Sequence, residues 1–457
     1  MVLLTSLRAS FCVGVARARL LPPPSTARYF ASSVIARQNA PMKQPPHSDS
    51  VLFPGAVNSK FTHELKFQRP QDLPAIPTYR LIDTHGEVVD KSREPDISQE
   101  LALKMYKDMI TRADKFLYGM EIWSLHLSGA GNANVSAGEE GIAVGSAAAL
   151  APDDVIFSQY REQGVMMYRG FTLDEFMNQL FANKFDYGKG KNMPIHYMSE
   201  RLHMIPHSVG AAYALKLDQS SRIAVCFFGE GAASEGDFHA ALNIAATRSC
   251  PVLFICRNNG FAISTPTLEQ YKGDGIGSRG VGYGIDTIRV DGNDVGVTFG
   301  ESGFILYIGI MAVREVTMRA RDIALKEQKP VLIEAMSYRV SHHSTSDDSF
   351  AYRAKVEVED WKRRDNPITR MRKWLESKSW WSGEQDQELR IQVRKDILKA
   401  FARAEKEKKP ALENLFLDVY KVPSRDLEEQ MAELRRIIDE YPDEYDLEAF
   451  DRGREGL

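Results

Sequence analysis

Two short polar segments of the chain carry residue types that bind a divalent cation and a phosphate group. Glu230 stands between two glycines, and Asn259, the second of two adjacent asparagines, follows 29 positions later. Mg²⁺ prefers oxygen ligands in an octahedral array, which these two side chains and a nearby carbonyl can supply. Glycines let the backbone approach a diphosphate, and amides at the start of a helix can bind it. A Gly-Glu-Gly loop alone is more often an ordinary turn, but the paired asparagines at this spacing favour a cofactor site.

Both segments follow apolar runs that predict neighbouring strands. The run 222–228 precedes Glu230, and the run 251–256 precedes the polar segment 257–260, which is predicted to break the second strand. Small residues at 240–246 predict the helix that connects the two strands, which gives a βαβ unit with parallel strands. Because the carboxyl ends of parallel strands meet at one edge of a sheet, the two polar segments should form one pocket there.

The rest of the chain predicts the same fold class. Apolar runs at 287–290 and 331–336 predict two more strands, and a helical stretch between them ends near Lys326. Another helical pattern begins near Ser98 and continues through Leu101, Met105, Met109 and Ile110. Buried strands that alternate with helices predict an α/β fold with a doubly wound, mostly parallel sheet.

Length and composition exclude several classes of protein. The chain has 457 residues, 43% of them hydrophobic, which allows a large core. A formal net charge of −4 offers no basic surface for nucleic acid or for a charged membrane. No apolar run reaches the roughly 20 residues that span a bilayer. The four cysteines lack the paired spacing of a zinc site and are predicted to be reduced core thiols.

Composition changes along the chain predict four segments. Residues 1–48 contain arginines and one lysine but no acidic residue, and they are rich in Ser and Ala. This composition is typical of a mitochondrial transit peptide, with a disordered basic tail as the alternative, and it predicts a location in the mitochondrial matrix. Residues 49–97 form a proline-spaced arm that should run extended. The α/β domain is predicted at 98–422, and a helical, acidic tail for packing or subunit contact at 423–457.

The two polar segments resemble the signature of thiamine diphosphate enzymes, a glycine-acid-glycine followed by a double asparagine. The longer strings 229–237 and 257–266 resemble the alpha subunits of 2-oxo acid dehydrogenase decarboxylating components, and the resemblance covers about residues 50–450. It implies that Glu230, Asn259 and the carbonyl of Phe261 hold Mg²⁺. The residues that it implies for cofactor contact are Tyr160, Arg161, Gly231, Ala232, Arg257 and His343.

A third polar segment follows the predicted strand 331–336 and contains His342, His343 and Ser344. A histidine pair in a polar loop is usually solvated, and no third ligand at zinc spacing accompanies this one. The resemblance implies that His343 is catalytic, near the diphosphate and the reacting 2-oxo acid, and that Ser344 is a regulatory phosphorylation site. A phosphate there would add about two negative charges beside an anionic cofactor and substrate, which should repel them and disorder the loop.

The resemblance also implies a reaction and partners. Members of the family decarboxylate a 2-oxo acid on thiamine diphosphate and transfer the acyl group to the lipoyl group of a core acyltransferase. A separate beta subunit supplies the glutamate that activates the cofactor, so an α2β2 heterotetramer is expected, with a regulatory kinase and phosphatase. The segment 342–349 resembles branched-chain members, and 270–276 and 289–295 agree with them. A pyruvate-specific alpha subunit and a non-catalytic paralogue that only binds a beta subunit are the alternatives.

Three segments depart from the family pattern. The family has a potassium-binding loop immediately before 205–213, but here 201–204 runs straight into that segment, so the potassium site is predicted to be deleted. Residues 121–134 are rich in Gly and Asn where the family has an aromatic entry to a strand. Residues 296–311 interrupt a continuous run and include an apolar stretch that is unfavourable in solvent. A retained intron or a faulty gene model explains this insert best, and a genuine insert would favour the non-catalytic paralogue.

Overall fold

The structure is a computed structural model. It describes residues 50–51, 59–60, 62–65, 67, 69–90, 97–126, 137–192, 204–294, 312–344, 347–418 and 420–457. The predicted transit peptide at 1–48, the residues 201–203 and the insert 296–311 lie outside the described residues. Contacts divide the chain into two compact units, Met1–Leu73 and Pro74–Leu457.

Strands and helices alternate through most of the second unit. The strands are β1 (Ser50–Val51), β2 (Ser59–Lys60), β3 (Thr78–Tyr79), β4 (Val155–Phe157), β5 (Ala224–Gly229), β6 (Val252–Asn258), β7 (Phe261–Ala262), β8 (Thr265–Pro266), β9 (Asp286–Asp291) and β10 (Val331–Met336). The α-helices are α1 (Gln99–His126), α2 (Glu140–Ala147), α3 (Gln163–Tyr168), α4 (Leu173–Leu180), α5 (Met204–Leu217), α6 (Gly236–Arg248), α7 (Thr267–Gln270), α8 (Gly277–Gly282), α9 (Ala312–Glu327), α10 (Lys355–Arg364), α11 (Pro367–Ser377), α12 (Gly383–Glu405) and α13 (Arg425–Glu440).

Six strands form the central sheet, in the order β3-β9-β10-β6-β5-β4, and each of its pairings is parallel. Gly229 pairs with Arg257, and Asn258 pairs with Met336, so the carboxyl ends of β5, β6 and β10 are aligned. The predicted mostly parallel sheet is confirmed. In the first unit, β1 and β2 pair antiparallel, with Ser50 opposite Lys60.

Helices cover both faces of the sheet because alternate residues of each strand point to opposite sides. On β5, Val225 and Phe227 belong to a core that includes α2 and α9, whereas Cys226 and Phe228 belong to a second core with α5 and α6. A strand that is apolar on both faces has no polar side to turn to water. This burial explains the apolar runs in the sequence and gives the doubly wound arrangement.

The main error of the sequence-based prediction concerns the end of β6. The polar segment 257–260 was expected to break the strand, but β6 continues through Arg257 and Asn258. Both residues pair with β10, and Arg257 also pairs with β5, while their side chains are 2% and 3% exposed. Hydrogen bonding to strands on both sides therefore outweighs the low strand propensity of polar residues.

Further helices extend the fold beyond the sheet. The predicted helix near Ser98 is confirmed as α1, and its residues Met105, Met109 and Ile110 pack in a core with α11. Near the C-terminus, α13 begins after Ser424, whose side chain accepts a hydrogen bond from the amide of Leu427 and caps the helix. Among the described residues of the predicted arm 49–97 are three short strands and a 3-10 turn at Pro70–Asp72.

The cysteines agree with the expectation from composition. Cys226, Cys250 and Cys256 are buried free thiols, as predicted, and Cys12 lies outside the described residues. No helix in the described ranges combines the length and the apolar character needed to cross a membrane.

A close backbone contact fixes helix α2 against the end of β9. A Cβ atom at Gly141 would lie 2.7 Å from the carbonyl oxygen of Gly292, a distance that ordinary side chains do not reach. Helix α2 is buried along its whole length. The missing side chain at Gly141 therefore allows the start of α2, with Glu139 just before it, to reach the carboxyl edge of the sheet.

We predict that Gly141→Ala destabilises the protein although it improves the helix. Overpacking of a core costs about 1–3 kcal/mol, whereas alanine gains only about 1 kcal/mol over glycine inside a helix. Gly210→Ala in α5 is the matched control, because a Cβ atom there meets nothing within 4 Å. In urea unfolding, the midpoint should fall for Gly141→Ala and rise for Gly210→Ala. Equal shifts in both variants would contradict the close contact.

Candidate cofactor-binding site

The carboxyl ends of four neighbouring strands and the residue before α2 bring the candidate residues together. Tyr160 and Arg161 follow β4, Glu230 follows β5, Arg257 and Asn259 lie at the end of β6, and His343 follows β10. In parallel sheets this edge is where ligands bind. The arrangement predicted from sequence, with both polar segments at one edge, is therefore present.

Arg257 is the centre of a buried ion-pair cluster. Its Nε lies 3.0 Å from Oε1 of Glu139, and its Nη1 is in contact with Oε1 of Glu162. All three residues are at most 2% exposed. Burial would lower the pKa of Arg257, but the two carboxylates outweigh it and raise this pKa above its ordinary value. Nη2 of Arg257 has no hydrogen-bond partner among the described residues, so the guanidinium retains a donor for an anion.

Glu139 connects this cluster to the asparagine of the second polar segment. Nδ2 of Asn259 donates a hydrogen bond of 2.7 Å to Oε1 of Glu139, and Nη1 of Arg161 lies 3.9 Å from Oε2. Burial would raise the pKa of Glu139, but Arg257 and Arg161 lower it below its ordinary value. Sequence reasoning assigned no role to Glu139 or Glu162. Each of these two acids stands beside a helix of mainly small and apolar residues, and this pattern could have indicated them. Such a helix is buried, and a buried acid requires a cation.

Glu230 lies in the same buried region with one unsatisfied oxygen. The residue is 1% exposed, its Oε2 is 3.4 Å from the amide nitrogen of Asn259, and its Oε1 has no hydrogen-bond partner among the described residues. Burial raises the pKa of Glu230 to about 7. A buried carboxylate oxygen without a donor is costly by itself and suits a cation.

The neighbours of Glu230 add an amide oxygen, a glycine and a 3-10 turn to the candidate site. Oδ1 of Asn259 accepts a hydrogen bond of 3.2 Å from the amide of Phe261, which keeps this oxygen on the side away from Glu139. A Cβ atom at Gly231 would lie 2.9 Å from Cβ of Ala262, so only glycine fits there. Ala232 begins a 3-10 turn that leads into α6. The residues present therefore fit a magnesium diphosphate group.

Asn258 has a structural role and does not face the candidate metal site. Its Nδ2 donates to Oε1 of Glu334 and to the hydroxyl of Tyr271, both at 2.9 Å. Glu334 is fully buried and also accepts hydrogen bonds from the amides of Ile276 and Gly277. The first asparagine of the pair thus fixes the loop before α8, and the second one faces the candidate metal site.

His343 and Ser344 lie on a loop that is anchored near the cluster. Nε2 of His343 is 3.2 Å from the hydroxyl of Tyr160, and Nη2 of Arg161 is 3.5 Å from the carbonyl oxygen of His343. Burial, together with Arg161 and Arg339, lowers the pKa of His343 to about 4, so its imidazole is neutral near pH 7. Ser344 is 7% exposed. The loop thus brings both predicted residues to the candidate site.

A cavity of about 500 Å³ opens beside the cluster at the same edge of the sheet. Asn258, Gly260 and Met336 contribute to its walls, together with the charged residues Arg80 and Lys272. In the part of the chain that the structure describes, no group of three or more His, Cys, Asp or Glu side chains is arranged to hold a metal. The candidate metal site therefore depends on Glu230 together with amide and carbonyl oxygens.

We predict that Glu230→Gln stabilises the metal-free protein at high pH. The pKa of Glu230 lies above the ordinary 4.5, so the folded state holds a proton that the unfolded state has lost, and stability falls as the pH rises from about 4.5 to about 7. The variant should be more stable than the wild type at pH 8 by about 1–3 kcal/mol and similar at pH 5, in urea unfolding with a chelator. Glu235→Gln, which removes an exposed carboxylate nearby, is the matched control. Identical pH profiles for wild type and Glu230→Gln would contradict the burial of an acid.

Comparison with known proteins identifies the family. Residues 129–413 match the family model described as "Dehydrogenase E1 component". The mitochondrial 2-oxoisovalerate dehydrogenase subunit alpha 2 of Arabidopsis thaliana is 47% identical over 405 residues, covering 86% of this chain and 82% of that protein. The mitochondrial alpha subunits of the same name are 45% identical over 436 residues in Homo sapiens (92% and 93% covered) and 45% identical over 410 residues in Caenorhabditis elegans (86% and 90%). Because the family model spans more than half of the chain and these relatives match most of its length, the chain belongs to the dehydrogenase E1 component family.

Proposed function

We propose that this chain is the alpha subunit of a thiamine diphosphate-dependent branched-chain 2-oxo acid dehydrogenase. The observation that carries the proposal is the 43–47% identity over most of the chain to proteins named 2-oxoisovalerate dehydrogenase subunit alpha. The gathering of Glu230, Arg257, Asn259 and His343 at one sheet edge supports it. The reaction is oxidative decarboxylation of branched-chain 2-oxo acids, with transfer of the acyl group to a lipoyl group of a core acyltransferase, in branched-chain amino acid catabolism.

The chain would hold the diphosphate end of the cofactor. Glu230, Asn259 and the carbonyl of Phe261 would bind Mg²⁺, and bound thiamine diphosphate supplies the electron sink that permits decarboxylation. Five residues would contact the cofactor around the diphosphate: Tyr160, Arg161, Gly231, Ala232 and Arg257. The unpartnered Nη2 of Arg257 and the unpartnered Oε1 of Glu230 support these roles, since both groups are buried and lack a partner of their own among the described residues.

His343 would act near the reacting 2-oxo acid. A neutral imidazole with no hydrogen on Nε2 can accept a proton there, at the atom that Tyr160 now contacts, and the imidazolium can return it. The contact between Arg161 and the carbonyl of His343 orients the loop without neutralising a charge. Nη2 of Arg257, which has no hydrogen-bond partner among the described residues, would donate to the anionic cofactor.

The proposal includes partners and a location. A beta subunit would complete an α2β2 heterotetramer, because the relatives are named as alpha subunits, and a lipoyl-bearing acyltransferase core would accept the acyl group. The relatives are also named as mitochondrial, which supports a mitochondrial location, and the basic segment 1–48 supports the matrix. The deletion of the family's potassium loop before residue 205 stays a prediction from sequence.

We expect the chain, co-expressed with its cognate beta subunit, to decarboxylate 3-methyl-2-oxobutanoate in preference to pyruvate. Thiamine diphosphate, Mg²⁺ and K⁺ are supplied, and kcat/KM is measured for both acids. The alpha chain alone should be inactive, which serves as the control. A preference for pyruvate would move the chain to the pyruvate-specific alpha subunits, and an intact but inactive assembly would favour the non-catalytic paralogue.

Ser344 is the residue that we propose for regulation by a kinase and a phosphatase. The amide of the preceding His343 donates a 2.7 Å hydrogen bond to Asp347, and the hydroxyl of Tyr352 donates another of 2.7 Å to the same carboxylate oxygen. Because Ser344 is 7% exposed, a phosphate cannot be added while the loop keeps this conformation. The two negative charges of a phosphate on Ser344 would also repel the carboxylate of Asp347.

We predict that stoichiometric phosphorylation of Ser344 reduces kcat/KM of the assembled enzyme at least about tenfold, a loss equal to about 1.4 kcal/mol, and increases proteolytic cleavage after His343. Treatment of Ser344→Ala with the same kinase is the control and should leave activity unchanged. Full activity of the enzyme with phosphate on Ser344, verified by mass spectrometry, would refute this role.

A further inference from the structure

The side-chain amide of Asn259 carries an oxygen and an NH2 group of nearly the same shape. A neighbouring group must therefore determine which of the two faces the candidate metal. An amide offers an oxygen as acceptor and an NH2 group as donor, and only the oxygen can bind a cation. In the structure Nδ2 points to Oε1 of Glu139 at 2.7 Å, while Oδ1 is directed to the amide of Phe261 at 3.2 Å. The orientation is therefore the one that a metal requires.

Glu139 can enforce this orientation because of its chemistry. An ionised carboxylate accepts hydrogen bonds but donates none, so the flipped amide would place its oxygen against the oxygen of Glu139 and repel it. Glu139 is completely buried, and no exchange with water relieves that repulsion. The same carboxylate oxygen is 3.0 Å from Nε of Arg257, the side chain proposed to contact the diphosphate.

We infer that Glu139 is a positioning residue that orients the amide of Asn259 toward the metal. This inference rests on the proposed function, because it assigns Glu139 a task toward the same magnesium diphosphate group. Its contacts join α2 to the end of β6 across 120 positions of sequence. A buried carboxylate thus fixes the orientation of a side chain that is distant in sequence.

The neighbouring residue Glu140 provides a matched control. Glu140 is 2% exposed, but its oxygens accept hydrogen bonds from the amide of Gly138 at 3.2 and 3.0 Å. Glu140 has no recorded hydrogen bond to Asn259 and no ion pair with Arg257 within the described ranges. A Glu-to-Gln change at either position keeps size and shape and removes one buried negative charge, so only the contacts differ.

The experiment measures metal and diphosphate binding separately in the assembled enzyme with its beta subunit. Mn²⁺ replaces Mg²⁺ and is titrated by electron paramagnetic resonance at saturating thiamine diphosphate. Inorganic diphosphate is titrated by calorimetry in the presence of a chelator. For Glu139→Gln, whose NH2 group permits the amide of Asn259 to flip, we expect the Kd of Mn²⁺ to rise about 10–100-fold. The affinity for metal-free diphosphate should not fall, because the site loses a negative charge. Glu140→Gln should resemble the wild type in both titrations.

Each other outcome has a defined meaning. A variant Glu139→Gln that binds Mn²⁺ as tightly as the wild type would refute the inference. Loss of both metal and diphosphate affinity, or equal losses in Glu139→Gln and Glu140→Gln, would show that Glu139 only maintains the fold, which also refutes it. A wild-type assembly that binds neither Mn²⁺ nor thiamine diphosphate would overturn the proposed function itself, and the two failures are thereby distinguished.

Discussion

Charges that are buried at the carboxyl edge of the sheet must be balanced by their neighbours, because water cannot solvate them there. Arg257 is 2% exposed and is balanced by Glu139 and Glu162, which are equally hidden. The three residues come from β6, from the position before α2 and from the loop after β4. Apolar packing tolerates small shifts of these elements, but separation of a buried ion pair leaves an uncompensated charge. The pairing of these buried charges therefore fixes the geometry of the site.

Sequence patterns predicted the sheet well because its strands are buried on both faces. The run 331–336 coincides with β10, and the runs 222–228 and 251–256 predicted β5 and β6 with errors of one or two residues at their ends. The largest error came at Arg257 and Asn258, where polarity suggested a loop. Pairing with two neighbouring strands is a tertiary effect that local composition does not contain. The resemblance supplied the candidate residues, but not how they are connected.

The sequence did not reveal the arginines that hold the loop with His343 and Ser344 in place. Arg339 donates from Nη2 to the carbonyl of Ile263 and to the hydroxyl of Tyr352, both at 2.7 Å, and Arg353 donates to the carbonyl of Ser341 at 2.5 Å. These arginines bind backbone oxygens and a phenol, so no acidic partner nearby in sequence indicates their role. The loop with His343 and Ser344 is consequently held by donors that only the folded chain brings within reach.

The sequence separations at the edge of the sheet also bear on how the protein is made. Asn259 meets Glu139 across 120 residues, and Tyr160 meets His343 across 183. Contacts between distant segments require long loops to close and slow the folding of parallel sheets. During synthesis, Glu139, Glu162 and Arg257 leave the ribosome before His343, and until His343 follows, these charges lack their final environment. The polar edge of the sheet therefore stays incomplete until β10 and the loop that follows it have been synthesised.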